Sequence, residues 1–382
     1  MVKAHKAKND EFYTQLTDIE KELSHYRAFF KDKTVLCNCD DPFESNFFKY
    51  FAMNFNHLGL KKLICTCYDG SPVSYTELKE SLILSPIKRK PYKIEITEVT
   101  DMDGDGAVDM VDVELLLKSN NNNLTILDGD GDFRSEESIE FLKEADVVVT
   151  NPPFSLFRQY VELLKRYKKS FILLGNMNSI TYKEFFPYLM NNEIWIGYGF
   201  NMSMVYRTPY PNKLEANRKF VISKGYNPDD GYVKVPAISW FTNIDIEKRH
   251  EPLIMYRKYS ENDYPRFDNY DAINVDRVTD IPDDYYGTMG VPITFLDKYN
   301  PEQFEIIGIT KTPIGSHLRT KIYDKQIQIA KNGARSKVSK LNDGPAIEIP
   351  MIDNTKVCYE VDGKIYYAPY ARILIRRRKH EN

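Results

Sequence analysis

The chain has 382 residues, 42% of them hydrophobic, with 27 Tyr and 21 Phe but 2 Trp. That length is enough for two domains, and the apolar share supports real cores. A formal net charge of −3 excludes a uniformly basic nucleic-acid coat. No apolar run approaches the roughly 20 residues of a membrane helix, and Met1–Lys6 lacks a signal-peptide core. An intracellular, cytoplasmic protein with no membrane partner is expected.

The charge is unevenly placed. Residues 311–382 carry 15 Lys and Arg against 7 Asp and Glu, a balance of +8 that leaves −11 for the rest. A basic C-terminal part beside an acidic N-terminal part fits a DNA-facing module joined to a catalytic one. Five cysteines do not make a disulfide scaffold. Cys37 and Cys39, like Cys65 and Cys67, sit in strand-like runs. No Cys-x-x-Cys or His-x-x-x-His spacing accompanies them, so they read as small buried hydrophobes.

In chain order, Glu11 to Arg27 reads as a helix after a polar arm. Lys33–Asp40 is a short strand. Ser45 is a good N-cap for an aromatic helix, Asn46–Leu58, with Gly59 as its stop. Lys62–Asp69 is the next strand. An insertion of roughly 70–123 follows, and then strands at Leu124–Asp128 and Ala145–Thr150. Phe157–Tyr167 is helical and Ser170–Gly175 is a strand. Glu193–Gly197 and Ala237–Thr242 look like the last two strands of the same sheet. Strands alternating with helices predict a parallel, doubly wound α/β sheet. After about Glu251 the composition shifts to Tyr, Pro, Asp and Asn, then to short strand-like runs with basic residues between them. The expected domains are therefore 1–250 and 251–382.

Within the insertion, Asp101, Asp103, Asp105, Asp109 and Asp112 occupy positions 1, 3, 5, 9 and 12 of a calcium-loop template, with Gly106 at position 6. Position 12 is Asp rather than Glu, and a strand-like run, Lys93–Val99, stands where an EF-hand has a helix. Two readings stay open: a bound Ca²⁺-like ion, or an Asp/Gly turn without metal.

The most informative stretch is Asp146–Phe154. A Val-rich strand ends abruptly in Asn151-Pro152-Pro153-Phe154. Two prolines cannot continue a sheet ladder or enter a helix interior. Asn151 and Phe154 therefore project from a stiff turn at the carboxyl end of a strand, where open α/β sheets bind ligands. The Asn151 amide oxygen and the Pro152 carbonyl can accept from an exocyclic amine, and Phe154 can stack on its ring. The tetrapeptide resembles the catalytic motif of amino-group methyltransferases that use S-adenosylmethionine. Alone, it leaves glutamine and guanine methyltransferases open.

The chain as a whole resembles the EcoRI-type adenine-specific DNA methyltransferases. The resemblance is carried by Glu11-Phe-Tyr-Thr14, Asn38-Cys-Asp-Asp-Pro42, Asp128-Gly-Asp-Gly-Asp-Phe-Arg-Ser135, Asn151-Pro-Pro-Phe154 and Gly175-Asn-Met-Asn-Ser-Ile-Thr-Tyr182. It implies a Rossmann-like doubly wound methyltransferase sheet with a C-terminal target-recognition domain. It implies S-adenosylmethionine as cofactor and double-stranded DNA as substrate, with a cognate restriction endonuclease as a partner system. By that resemblance Phe12, Tyr13 and Thr14 close over the methionine end of the cofactor. Asn38 and Asp40 lie where the wider family has a Gly-rich loop, which this chain lacks. Asp69 is placed to take the ribose hydroxyls, and Asp132 and Phe133 to flank the adenine moiety. Asn176 and Asn178 follow the fifth strand and line the target pocket. An adenine inside duplex DNA cannot reach such a turn, so base flipping is expected.

Between His317 and Lys340, Arg319, Lys321, Lys331, Asn332, Arg335 and Lys337 are spaced as phosphate and base contacts. Arg376–Lys379 reads as a terminal basic tail. Two alternatives remain: an amino methyltransferase acting on RNA or protein glutamine, and a catalytically inactive methyltransferase-like DNA-binding module.

Overall fold

The computed structural model describes residues 13–39, 42, 45–68, 91–106, 108–119, 124–208 and 217–379. The chain divides into two compact units, one of Met1–Ser179 with Ile196–Ile244, the other of Ile180–Trp195 with Asp245–Asn382. The break thus falls at Ile244/Asp245 rather than at 250, and the segment after the fifth expected strand goes with the second unit.

Ten strands of the described residues form one mixed sheet: β1 (Tyr13–Thr14), β2 (Thr34–Cys37), β3 (Lys62–Thr66), β4 (Tyr92–Ile96), β5 (Leu124–Ile126), β6 (Val147–Thr150), β7 (Ser170–Asn176), β8 (Trp195–Ile196), β9 (Met202–Arg207) and β10 (Tyr232–Thr242). Their order is β1-β9-β10-β7-β6-β2-β3-β4-β5, with β8 beside β10. β7, β6, β2 and β3 run parallel. Every residue of β2 and β6 is buried, as their near-continuous apolar runs require of strands covered on both faces.

The expected wholly parallel sheet is corrected on both flanks. β4 comes from the insertion, runs antiparallel to β3 and stands between β3 and β5. β10 runs antiparallel to both β7 and β9. The expected helix from Glu11 begins only at Leu16, because Tyr13 and Thr14 pair with Tyr206 and Arg207 of β9. The aromatic helix starts at Asn46 with Ser45 Oγ accepting from the Phe47 N–H at 3.2 Å. It breaks at Asn54, resumes over Phe55–Leu58, and stops at Gly59 in the left-handed region, φ 61°.

One buried carboxylate joins distant parts of this unit. Glu22 accepts from the Tyr198 N–H and the Gly199 N–H, each at 2.8 Å, and from the Tyr26 hydroxyl at 3.0 Å. A Cβ on Gly197 would come within 2.3 Å of Glu22 Oε1 and 2.9 Å of Trp240 Cβ, so a larger residue there would displace the carboxylate.

The second unit has two sheets. β11 (Ile273–Asn274), β12 (Met289–Pro292), β13 (Phe304–Ile309) and β19 (Arg372–Arg377) stand in the order β11-β12-β19-β13. β14 (Gln326–Ile329), β15 (Arg335–Val338), β16 (Ile347–Ile349), β17 (Cys358–Val361) and β18 (Lys364–Tyr367) stand in the order β15-β14-β17-β18-β16. Fully buried Asn269 ties the loops together: its Nδ2 donates to the Gly344 carbonyl at 2.9 Å and its Oδ1 accepts from the Ala346 N–H at 2.8 Å. The supposed basic tail is corrected too. Arg376 and Arg377 end β19, opposite Glu305 and Phe304. β19 lies between β12 and β13, so a chain ended before Lys311 loses an interior strand.

Glu22→Gln is expected to lower stability by about 1–3 kcal/mol, because an amide cannot accept from all three donors. Urea denaturation of the full chain measures this. An unchanged midpoint would show that the carboxylate is dispensable.

Candidate active site

From β2 the sheet grows through β3 to one side, and from β6 through β7 to the other. The adjacent carboxyl ends of β2 and β6 therefore lie at the point where strand order reverses, the place where open α/β sheets bind ligands. Asn38 follows β2 and Asn151 follows β6. Both are buried, at 8% and 6% exposure. Two hydrogen bonds hold the junction. Thr150 Oγ1 donates to the Asn38 carbonyl, and Tyr160 Oη donates to Asn38 Oδ1. Burial pushes the Tyr160 phenol well above its ordinary value, so it stays a donor. Cys39 then takes φ 87°. The chain turns there through the left-handed region with no glycine to ease it.

After Asn151, Pro152 is buried, and Pro153 and Phe154 are half-buried. The Leu156 N–H donates to the Pro153 carbonyl at 2.8 Å, closing the turn into the helix Phe157–Arg166. The double proline thus ends the strand and aims the residues after it away from the ladder.

Asp132 and Phe133 stand by the end of β3. Gly131, at φ 73°, lies so close to β3's exit that a Cβ would meet the Cys67 carbonyl at 2.1 Å. Phe133 packs edge-on against Tyr160, with centroids 4.9 Å apart. Asp132 is clamped by Arg134, Nε to Oδ1 at 2.9 Å and Nη2 to Oδ2 at 2.5 Å. Burial pushes this carboxyl up, but the Arg134 side chain and N–H outweigh it and hold it below the usual carboxylate range. The guanidinium also lies 5.2 Å over the Phe133 ring.

Tyr13 and Thr14 lie at the sheet edge, with four strands between them and β2. The Asn46 side chain closes that gap, its Nδ2 donating to the Thr14 carbonyl at 2.7 Å from the start of the helix that follows β2. Thr14 Oγ1 is buried and has no hydrogen-bond partner. An orphaned buried hydroxyl is costly unless a ligand engages it. It suits the polar amino-acid end of S-adenosylmethionine. Phe12, Asp40 and Asp69 lie outside the described residues.

In the acidic loop, the carboxylates of Asp101, Asp103 and Asp105 approach within 4.8 Å of one another and are exposed. Asp109 and Asp112 are turned to other work. Asp109 Oδ1 accepts from the Val111 N–H at 2.6 Å, and buried Asp112 accepts from the Met102 and Asp109 N–H groups at 2.6 and 2.8 Å.

The basic residues of the second unit divide. Lys331 and Asn332 are exposed at the tip between β14 and β15, and Arg335 and Lys337 are exposed on edge strand β15. Arg335 also pairs with Glu360 at 2.8 Å. Lys321 pairs with Asp268 at 2.6 Å and lies over the Tyr323 ring. Arg319 is half-buried, its guanidinium donating to Thr312 Oγ1 and the Asn342 carbonyl, so it fastens two loops. Asn176 ends β7, and its Oδ1 accepts from the Asn178 N–H at 2.9 Å.

Thr150, Tyr160 and Arg134 are site residues that sequence reasoning missed. Tyr160 falls in the buried stripe Phe157, Tyr160, Val161, Leu164 and reads as core. Only the fold shows its hydroxyl on Asn38.

A buried Asn-Pro leading into Pro-Phe, at the exit of a parallel strand beside a ligand-binding switch point, is the arrangement of an amino methyltransferase. The comparisons agree. The family described as adenine-specific methyltransferase EcoRI matches residues 1–378. The Type II methyltransferase M.EcoRI of Escherichia coli is 46% identical over 312 residues, covering 81% of this chain and 88% of that one. M.MpnI of Mycoplasma pneumoniae is 37% identical, covering 84% and 89%. M.MgeORF184P of Mycoplasma genitalium is 36% identical, covering 81% and 86%. No solved structure matches. The chain belongs to the EcoRI family of adenine-specific methyltransferases. Among the described residues no helix is long and apolar enough to cross a membrane.

Tyr160→Phe is expected to weaken S-adenosylmethionine binding several-fold by freeing the Asn38 carboxamide, while costing about 0.5–1.5 kcal/mol of stability. Calorimetric titration with the cofactor checks it. Unchanged affinity would mean that Asn38 does not serve that site.

Proposed function

We propose that this chain transfers a methyl group from S-adenosylmethionine to the exocyclic 6-amino group of an adenine flipped out of double-stranded DNA. The observation that carries the reading is the placement of buried Asn38 and Asn151 just beyond the carboxyl ends of the adjacent parallel strands β2 and β6. One position serves the cofactor and the other the target. The first unit is then the Rossmann-like catalytic domain. The second is the target-recognition domain, with Lys331, Asn332, Arg335 and Lys337 as its exposed DNA contacts and Lys321 as a further one.

Adenine's amino lone pair is delocalised into its ring. The Asn151 amide oxygen and the Pro152 carbonyl accept its two N–H groups and favour a more tetrahedral, nucleophilic nitrogen. Phe154 stacks on the extruded base. When bound, S-adenosylmethionine supplies an electrophilic methyl on sulfur. Thr14, Asn38 and Phe133 hold the cofactor's position, with Asp132 turned toward Arg134 as an oriented anion. The protein's share of the rate is alignment and electrostatic placement, without a covalent intermediate. The target adenine's sequence context is read elsewhere, and a restriction endonuclease of matching specificity is the natural partner of such an activity.

Incubation with methyl-labelled cofactor and unmethylated DNA, followed by nucleoside analysis, tests the reaction. Label in N6-methyladenine is expected. Label in RNA or in glutamine would favour the alternative amine substrates. Asn151→Ala should cut turnover by about 10²–10³, the cost of losing one positioned polar group at a reacting centre. DNA affinity should stay within a few-fold, because Asn151 meets the amine rather than phosphate. Near-normal turnover would sink its role.

The Asp101–Asp105 carboxylates also fit a Ca²⁺-like ion. If one binds the folded chain, its mass action raises the melting temperature, while turnover, which needs no metal, stays unchanged. Coincident melting curves in calcium and in EDTA would favour the metal-free turn.

A further inference from the structure

Outside the junction of Asn38 and Asn151, the first unit has a second recess, of about 270 Å³, at the edge formed by β1, β9 and β10. Its floor is one register row. Tyr13 of β1 stands opposite Arg207 of β9, and Arg207 stands opposite Tyr232 of β10. Directly paired residues share a sheet face, so the row presents a guanidinium between two phenol rings. Tyr226 lies against Tyr232, with centroids 4.8 Å apart and planes at 35°. Lys49 comes from the helix Asn46–Met53, one turn along from Asn46, and completes the lining. Among the described residues the lining holds two cations and no acid. Most of its exposed surface is polar.

Two cations and a pair of tyrosine rings lining one concavity are the chemistry that takes a nucleic-acid strand. The cations meet phosphate, and the rings meet the flat face of a base or sugar. We infer that this recess binds a backbone phosphate of the DNA strand, with Arg207 and Lys49 on the phosphate oxygens and the Tyr226–Tyr232 pair against the adjoining nucleoside. This places a DNA contact on the catalytic unit itself, apart from the basic hairpin of β14 and β15. The inference rests on the reading of the chain as a DNA methyltransferase and adds to it a strand-anchoring subsite.

The test uses the full chain with Lys49→Gln, Arg207→Gln and both together, a duplex oligonucleotide containing methylatable sites, and a salt series. Each removed phosphate contact lowers the slope of log affinity against log salt by about 0.9. Because both cations meet the same phosphate, the double variant should lose about 0.9 of slope and at least tenfold in affinity at low salt. S-Adenosylmethionine affinity and melting temperature should stay unchanged. Lys49→Arg should keep the slope. An unchanged slope in a folded double variant overturns the inference. So does a loss of cofactor affinity with DNA binding intact, because the recess would then serve the cofactor. Methyl transfer by the parent chain is measured in parallel. If the parent fails to methylate adenine, the functional reading fails, and the slopes still report on the recess.

Discussion

The clamp on Asn38 is the interaction on which the rest of the site depends. β2 and β6 are short, buried and parallel, and each is followed by an asparagine. Parallel strands by themselves fix only the positions of their ends. The orientation of the groups beyond them comes from Thr150 and Tyr160, which take the carbonyl and the carboxamide oxygen of Asn38. In many nucleotide-binding sheets a Gly-rich loop does this work by letting backbone approach the ligand. Here Cys39 supplies the left-handed turn, and side-chain hydrogen bonds supply the rigidity. Buried polar groups satisfied in this way specify one arrangement, because every alternative leaves a donor or acceptor unmet.

The insertion shows how a sheet tolerates extra chain. β4 occupies the lane beside β3 that β5 would otherwise take. Its antiparallel pairing to both neighbours leaves β5 running in the same direction as β3. The loop after β5 therefore still returns toward the carboxyl ends of β2 and β3, where Gly131 packs on the Cys67 carbonyl and delivers Asp132 and Phe133. The geometry of the site survives because the added strand is sideways to it.

The reading of local chemistry carried a long way. The Ser45 cap and the Gly59 stop follow from side-chain and backbone preferences that act over a few residues, and both are present. The two prolines after Asn151 end β6 for the same kind of reason. Non-local pairing carried less well. Met202–Arg207 shows no strong alternation and was not expected as a strand, yet it binds β1 and β10 on its two sides. Arg376 and Arg377 look like a solvated tail in the sequence, and only the ladder with β13 shows that they end an interior strand.

By itself, then, the sequence determined the Asn151–Phe154 turn, the parallel core and the family, since each is encoded in contiguous residues whose physics is short-ranged. The tertiary structure decided the direction of the flanking strands and the work of Tyr160, Thr150 and Arg134. It also decided that Arg319 fastens loops while Lys331 and Lys337 face solvent. Some of these depend on which groups meet across 100 residues or more of chain, as Thr150 and Tyr160 meet Asn38, and others on which loops lie together, as Arg319 meets the Asn342 carbonyl. A hydroxyl in a buried helical stripe is silent until its partner is in place.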